Sequence, residues 1–345
     1  GPLFYARDAF DGLHVMDKLT IGTGDAGKDE KKEAGETEEV PLAEEAKLGQ
    51  RRRGRTARVR SSCGAESADA GIRSDVRTDV PIPTPPFYGS RVVEEISLDE
   101  VFAYVNETAL FKGQWQFKQG RRSAEEYRAF VAEHVRPIYD ELKERAKRER
   151  LLVPRVVYGY FHCQSEGNDL VVYRDDARTE WLRFTFPRQS SGRRLCLADF
   201  FASKGSGRMD VVAFHLVTMG RRASEYSREL FNSDRYSEYL LFHGLSVEAA
   251  EALAELWHKR IREELGIADR DAKDLNMLFR QGYQGSRYSF GYPACPNLED
   301  QTKIFELLDP SRIEVELTEE YQLDPEQSTS AIIVHHEEAK YFSID

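Results

Sequence analysis

The sequence predicts an α+β domain in which a twisted, mainly antiparallel sheet is flanked by helices and preceded by a disordered linker. Three observations carry this prediction. Segments with the two-residue period of β-strands follow one another between residues 156 and 219, a segment with helical period precedes them, and another follows. Strands that are grouped, and do not alternate with helices, are typical of α+β domains. The 345 residues are 40% hydrophobic, which is ample for a packed core.

The first predicted helix begins at a capping box. Ser123 and Glu126 have the spacing at which each side chain bonds the backbone N–H of the other. An apolar stripe at helical spacing then runs towards Arg150, with Tyr127, Phe130, Val131, Ile138 and Leu142. Because proline lacks an amide hydrogen, Pro137 is expected to kink this helix.

Four strands are predicted in the middle of the chain. Val156–Gln164 and Asp169–Tyr173 flank Glu166-Gly167-Asn168, a sequence typical of a hairpin turn. Residues 181–186 alternate as a third strand, and residues 209–219 form a longer, nearly continuous apolar strand.

The second helix is predicted to start at Ser246 and to stop at Gly266, which are favoured residues for the two helix ends. One face is apolar and carries Val247, Ala250, Ala254, Trp257 and Ile261. A second row is polar and carries Glu251, Glu255, His258 and Arg262. Rows of this kind are usually solvated helix faces, and we interpret it as one.

The chain before the domain divides into two parts. Residues 1–19 combine a strand-like run with a helical pattern, and we interpret them as the remnant of a preceding domain. Residues 20–86 are predicted to be a disordered linker, because they contain no aromatic residue and cannot bury enough apolar surface to offset the entropy of ordering. The linker ends in a Pro-rich stretch, and the domain is expected to span residues 87–345.

Composition argues against several functions. The net charge of −11 argues against a general nucleic-acid partner, which needs a cationic face, and no apolar run reaches membrane-spanning length. The four cysteines lack the spacing of metal ligands and are expected to be reduced thiols in a cytoplasmic protein: Cys63, Cys163, Cys196 and Cys295. Adjacent His335 and His336 point to opposite faces of a strand, so we expect one packed and one solvated histidine, and no metal site.

Residues 287–296, Arg-Tyr-Ser-Phe-Gly-Tyr-Pro-Ala-Cys-Pro, are the strongest candidate for a binding loop, which we call the cradle. Pro293 and Pro296 fix the backbone, while Gly291 permits angles or a close approach that a Cβ would forbid. The planar guanidinium of Arg287 could bind a carboxylate with two hydrogen bonds. A surface turn with buried aromatics would have the same composition, so the residues alone leave both interpretations open.

The cradle and the preceding Gly282-Tyr283-Gln284-Gly285 closely resemble the S-adenosylmethionine-binding activation domain of cobalamin-dependent methionine synthase. The resemblance covers about Val92–Asp345. Further matching segments occur in the same order and spacing: Phe111–Phe117, Val172–Thr179, Leu197–Phe200 and Lys340–Phe342.

The resemblance implies a ligand site for S-adenosylmethionine and no catalytic or metal-binding residue. Arg287 would bind the ligand's carboxylate, and Glu251 would lie near its amino-acid end. The nucleoside would lie on the cradle, and two aromatic side chains would close the site: Gly291, Tyr292 and Ala294, then Tyr341 and Phe342. Asn106 stands where the family pattern has an aspartate for the ligand's ammonium, so the charge of that acceptor is missing.

The function implied by the resemblance is reactivation of methionine synthase, a methyltransferase of methionine biosynthesis. The domain would dock over cobalamin held by the neighbouring cobalamin-binding domain and supply a methyl group, while flavodoxin or a diflavin reductase supplies an electron. Two alternatives are a free-standing corrinoid reactivation protein and a flavodoxin-docking module that has lost ligand binding. The linker argues against the first, because tethering serves to raise local concentration.

Overall fold

The computed structural model describes residues 73–344, which divide into two compact units. In the described part, the first unit comprises residues 107–138 and 227–245, and the second comprises residues 73–106, 139–226 and 246–344. The predicted domain remnant, most of the predicted linker and Cys63 lie outside the described residues.

The first unit is helical and contains two π-helical turns. The first turn spans Ala109–Gln114, and buried Trp115 follows it and donates its indole N–H to the Leu241 carbonyl oxygen at 2.9 Å. The predicted capping box is confirmed: Ser123 and Glu126 bond reciprocally at the start of helix α2, Ala124–Phe130, which follows helix α1, Leu98–Phe102, of the second unit.

A π-helical turn, Val131–Val135, connects α2 with helix α3, Arg136–Arg148. The irregularity falls one turn before Pro137, where we expected a kink. Proline has no N–H to donate to the preceding turn, so the regular α-helical ladder is interrupted there.

The second unit is built on an antiparallel seven-stranded sheet, as predicted, with strand order β4-β3-β2-β5-β9-β6 and β1 paired to β2. The strands are β1 Gly89–Val93, β2 Arg155–Glu166, β3 Asp169–Tyr173, β4 Glu180–Thr185, β5 Asp210–Thr218, β6 Ser286–Ser289 and β9 Ser328–Val334. The predicted hairpin at Gly167 and the third and fourth strands are confirmed. A separate hairpin pairs β7, Glu316–Leu317, with β8, Leu323–Asp324.

Strand register sorts the side chains of the sheet onto two faces. Phe214 of β5 pairs with Ile332 of β9, which pairs with Tyr288 of β6, and all three belong to the main hydrophobic core. The neighbouring positions therefore point to the other face, because successive strand residues alternate. That face carries His215 and, two strands away, Arg287.

The remaining α-helices within residues 73–344 are α4 Arg221–Asn232, α5 Tyr236–Glu264, α6 Leu275–Leu278 and α7 Gln301–Leu308. The predicted start of the second helix at Ser246 is wrong, because α5 begins at Tyr236 and Ser246 is buried within it. Its predicted end is confirmed, since Gly266 follows with a φ of +67°.

The polar row on α5 is not a solvated face. Glu255, His258 and Arg262 are all buried, and only Glu251 is largely exposed. The prediction for this row is wrong because its residues have charged and aromatic partners from other parts of the second unit, which a local pattern does not reveal.

The prediction of a disordered linker over residues 20–86 is also wrong for residues 73–80. Residues 73–80, which we call the N-terminal strap, pack against the second unit: Arg73 Nη2 donates to the carbonyl oxygens of Asp199 and Phe201, both at 2.7 Å. The Ser74 amide donates to Asp199 Oδ2 at 3.0 Å, and Val76 is buried in the main core. Burial of Val76 and the hydrogen bonds to Asp199 and Phe201 order this segment despite its polar composition.

The three thiols within the described residues are buried. Cys163, Cys196 and Cys295 are free, and burial raises the pKa of the Cys196 thiol to about 11. The expectation of one solvated histidine is wrong: His335 Nε2 lies 2.7 Å from Asp210 Oδ1, and His336 Nε2 lies 2.9 Å from the Arg77 carbonyl oxygen, and both rings are buried.

Residues 73–344 contain no cluster of three or more His, Cys, Asp or Glu side chains that could hold a metal ion. None of the helices in this described range has both the length and the apolarity needed to cross a membrane.

Candidate functional site for a small molecule

Arg287 lies on β6 with its guanidinium beside two carboxylates of α5. Its Nη2 atom is 3.5 Å from Glu251 Oε2 and 3.6 Å from Glu255 Oε2. Both distances are ion-pair contacts longer than an ordinary hydrogen bond. The Arg287 side chain is 21% exposed, so the cation is held among protein groups but open on one side.

The cradle turns sharply after β6. The Gly291 amide donates to the Cys295 carbonyl oxygen at 2.9 Å, and the Cys295 amide donates to the Tyr292 carbonyl oxygen at 3.0 Å. Gly291 has a φ of +91°, and a Cβ there would lie 2.9 Å from Leu298 Cδ2. Glycine is therefore required by the backbone of this turn. The Gly291 amide and the Tyr292 carbonyl oxygen are thus engaged in hydrogen bonds within the turn itself.

A cavity of about 470 Å³ lies beside the cradle, within the second unit. Glu251 and Tyr292, both predicted site residues, contribute to its wall, together with Ser289 and Phe290. Other wall residues come from the β7–β8 hairpin and the start of β9, including Tyr321, Gln322, Asp324, Ser328 and Thr329. This volume is within the range of small-molecule sites, and its lining mixes aromatic with hydroxyl and carboxylate groups.

Behind Arg287, the polar row of α5 forms a buried electrostatic layer. Arg262 Nη2 donates to Asp271 Oδ2 at 2.7 Å, and its guanidinium lies 4.1 Å from the centroid of the Tyr283 ring. Burial, together with the positive charge of Arg287, lowers the pKa of His215 to about 3. Burial likewise holds the pKa of His258 well below its ordinary value, so both imidazoles are neutral.

Some of the predicted site residues lie elsewhere. Phe342 is only 7% exposed, and its ring packs in the main core at 6.0 Å from Tyr288 and 6.2 Å from Phe200. Ala294 is also buried in that core. The expected stacking of Phe342 on a ligand is therefore unsupported in this structure, because the ring contributes to hydrophobic packing.

Tyr341 and Asn106 are both half-buried. The Tyr341 amide donates to Gln281 Oε1 at 3.0 Å, which fixes this segment beside the loop that precedes the cradle. Asn106 lies in the loop after α1. The ligand-binding roles of both residues remain predictions.

Glu255 and the cavity-wall residues of the β7–β8 hairpin were not among the predicted site residues. Glu255 lies one helical turn after Glu251, so the same face was available from the spacing alone. The missing information was that this face is turned towards Arg287. The hairpin residues are short polar segments without a distinctive pattern, and only the tertiary structure brings them to the cavity.

Comparison with known proteins assigns the chain to a family. The family model described as "Vitamin B12 dependent methionine synthase, activation domain" matches residues 97–345. This chain belongs to that family. The predicted resemblance is thus confirmed, and so is the predicted fold of the activation domain.

Similar activation domains occur within longer proteins. The chain is 42% identical over 361 residues to a methionine synthase of Mycobacterium tuberculosis (strain ATCC 25618 / H37Rv) and 41% identical over 360 residues to one of Mycobacterium leprae (strain TN). Each match covers 100% of this chain and 30% of the relative, so the chain spans about 30% of the length of these curated relatives.

Among solved structures, a similar activation domain is the MetH reactivation domain in a crystal structure bound to AdoHcy. The two chains are 27% identical, with a TM-score of 0.69, and the match covers 76% of this chain and 83% of the other.

Proposed function

We propose that this activation domain binds S-adenosylmethionine as the methyl donor for reductive methylation of cob(II)alamin in a methionine synthase. The observation that carries the proposal is a partly exposed arginine beside a cavity of small-molecule size: Arg287 contacts Glu251, and Glu251 lies in the cavity wall. The crystal structure of the MetH reactivation domain contains AdoHcy, which is S-adenosylmethionine without the transferable methyl group.

The ligand's groups match the chemistry of the site. The guanidinium of Arg287 offers a planar pair of donors to the amino-acid carboxylate. Glu251 is 49% exposed and so is free to turn towards the ligand's cationic end. Tyr292 and the cradle backbone offer a surface for the adenosine, and an aromatic face also favours a nearby sulfonium. Asn106, Gly291, Ala294, Tyr341 and Phe342 complete the set that the family resemblance implies.

The role of this domain in the proposed reaction is positioning. Cobalamin, held by the neighbouring cobalamin-binding domain, supplies the electron-accepting and methyl-accepting chemistry, and the sulfonium supplies the leaving group. The protein groups described here bind and orient the donor, and the reaction needs no general acid or base from them.

The proposed partners are the cobalamin-binding domain of the same enzyme and an electron donor, either flavodoxin or a diflavin reductase, in the cytoplasm. The relatives that match the whole chain are longer methionine synthases, which favours a tethered module over a free-standing reactivation protein. A docking module without ligand binding would bind no S-adenosylmethionine, so equilibrium binding separates it from our proposal.

Titration calorimetry with S-adenosylmethionine tests the proposal, and Asn106→Asp sharpens the test. If Asn106 accepts a hydrogen bond from the ligand's ammonium, a carboxylate there should tighten binding by about 1 kcal/mol, since hydrogen bonds to charged partners are stronger. Asn232→Asp, at the exposed end of α4, adds the same charge as a control. Unchanged affinity in Asn106→Asp would remove Asn106 from the site, and absence of binding to the unmodified chain would refute the proposed function.

A further inference from the structure

The charges around Arg287 do not balance once a ligand carboxylate is added. Glu251 and Glu255 both approach the same Nη2 atom, so two potential anions already share one cation. An incoming carboxylate would be the third. The ligand's ammonium can compensate Glu251, so buried Glu255 and the ligand carboxylate are left to share one guanidinium. Uptake of a proton by Glu255 removes this competition.

Glu251 and Glu255 differ in their access to water. The side chain of Glu251 is 49% exposed, so water stabilises its charge wherever it turns. The side chain of Glu255 is 8% exposed, and its Oε1 atom accepts no hydrogen bond from the residues that the structure describes. A buried carboxylate oxygen without a donor carries a desolvation penalty, and a proton on that carboxyl removes the charge.

The groups that face Glu255 come from three parts of the second unit. Arg287 faces it from β6 and Arg262 from its own helix, while Glu251 on the same helix and Asp271 after it oppose its charge. The neighbouring imidazoles of His215 and His258 are neutral and carry no compensating charge. Since Arg262 is already paired with Asp271, Arg287 is the main cation available to Glu255.

We propose that Glu255 is the positioning residue for Arg287 and that it binds a proton when a ligand carboxylate takes over the guanidinium. This inference rests on the proposed function, because it assumes that Arg287 receives the carboxylate of S-adenosylmethionine. In the empty site, the charged form of Glu255 holds Arg287 against α5. In the occupied site, the protonated form leaves the guanidinium to the ligand carboxylate, while Glu251 turns towards the ligand's ammonium.

The direction of the pH dependence follows from the charges. Burial raises the pKa of Glu255 above its ordinary value, while Arg287 and Arg262 act to lower it. A ligand carboxylate cancels the contribution of Arg287 and raises this pKa further. Affinity should therefore be highest where Glu255 is protonated beforehand. Affinity should fall by up to about tenfold per pH unit between the pKa of Glu255 in the empty site and its higher pKa in the occupied site. At most about one proton should be taken up per ligand.

Calorimetric titration of the chain with S-adenosylmethionine tests this inference when it is repeated in two buffers of different ionisation enthalpy. The difference in observed heat gives the number of protons taken up. Glu255→Gln is the key variant, because an amide keeps the shape and cannot titrate. We expect it to retain the low-pH affinity of the unmodified chain at every pH, with the proton uptake abolished. Glu263→Gln, which removes an exposed carboxylate of the same helix that is paired with Lys259, is the matched control, and it should still take up a proton.

The outcomes separate the inference from the proposed function. Binding without proton uptake across the pH range would overturn the role of Glu255 and leave the proposed function standing. Proton uptake that persists in Glu255→Gln would overturn it as well. No binding by the unmodified chain would overturn both. If Glu255→Gln fails to fold, infrared difference spectra of the unmodified chain decide, because ligand binding must produce a new protonated-carboxyl band.

Discussion

Arg287→Ala is expected to weaken binding of S-adenosylmethionine by about 2–5 kcal/mol, the range found when one member of a desolvated charge pair is removed. The loss has two parts. The ligand carboxylate loses its bidentate donor, and Glu251 and Glu255 lose the cation that both contact at 3.5–3.6 Å. Exposed Glu251 would then face the incoming anion without compensation, whereas buried Glu255 would bind a proton because the cation that lowers its pKa is gone.

Arg287→Lys should recover only part of this loss. An ammonium restores the charge near Glu255, but it cannot give the planar pair of hydrogen bonds that a carboxylate accepts. Arg235→Ala is a control of the same chemistry on an exposed ion pair of the first unit and should bind like the unmodified chain. Equal affinities for Arg287→Ala and the unmodified chain in calorimetry would show that the carboxylate binds elsewhere.

Asp199→Ala is expected to lower the free energy of unfolding by about 3–5 kcal/mol, the usual cost of breaking a buried ion pair. Arg188 donates to both carboxylate oxygens, at 2.5 and 2.9 Å, and both side chains are buried. The Ser74 amide also donates to Asp199. Removing the carboxylate would leave the buried Arg188 guanidinium without the countercharge of Asp199, although Arg188 still donates to Asn168 Oδ1 and to the Arg194 carbonyl oxygen. It would also release one anchor of the N-terminal strap.

Denaturant unfolding measures this loss, and limited proteolysis of the strap should show faster cleavage within residues 73–80. Asp140→Ala, which removes an exposed partner of Lys143, is the control and should cost about 1 kcal/mol at most. A similarly small loss for Asp199→Ala would contradict the assignment of Asp199 as a structural anchor.

Acid should weaken the same interaction. Burial acts to raise the pKa of Asp199, but the hydrogen bonds from Arg188 and Ser74 outweigh it and hold this pKa below its ordinary value. A depressed carboxyl pKa contributes stability above the unfolded-state pKa of about 3.9, and this stability is lost as pH falls through the folded-state pKa.

Four strands of the sheet, β2 to β5, were predictable because each carries its own signal, whereas β1, β6 and β9 were not predicted. The hairpin at Gly167 combines alternating residues with a turn sequence, and β5 is an apolar run long enough to be a buried strand. The start of α5 was not predictable in the same way. Ser246 has the chemistry of a helix cap, but preceding apolar residues such as Phe242 and Leu245 are buried and extend the helix to Tyr236.

The site shows the same division between local and tertiary information. Arg287 and Gly291 could be singled out because a rigid turn beside an arginine is a local pattern. The roles of Glu255, His258 and Arg262 depend on the residues that pack opposite α5. Without that tertiary information, a row of charged residues on a helix is interpreted as a solvated face. Phe342 was assigned to ligand stacking through the family resemblance, whereas its ring packs in the main core here.

Formation of methylcobalamin is the measurement that tests the proposed function most directly. This chain would be mixed with a cobalamin-binding domain loaded with cob(II)alamin and a reducing system, and the visible spectrum would be followed with and without S-adenosylmethionine. We predict methylcobalamin only when both the chain and S-adenosylmethionine are present, at a low rate because the two domains are not tethered, and little or none with Arg287→Ala. Failure to form methylcobalamin at any concentration of the chain, or equal formation with Arg287→Ala, would contradict the proposed function.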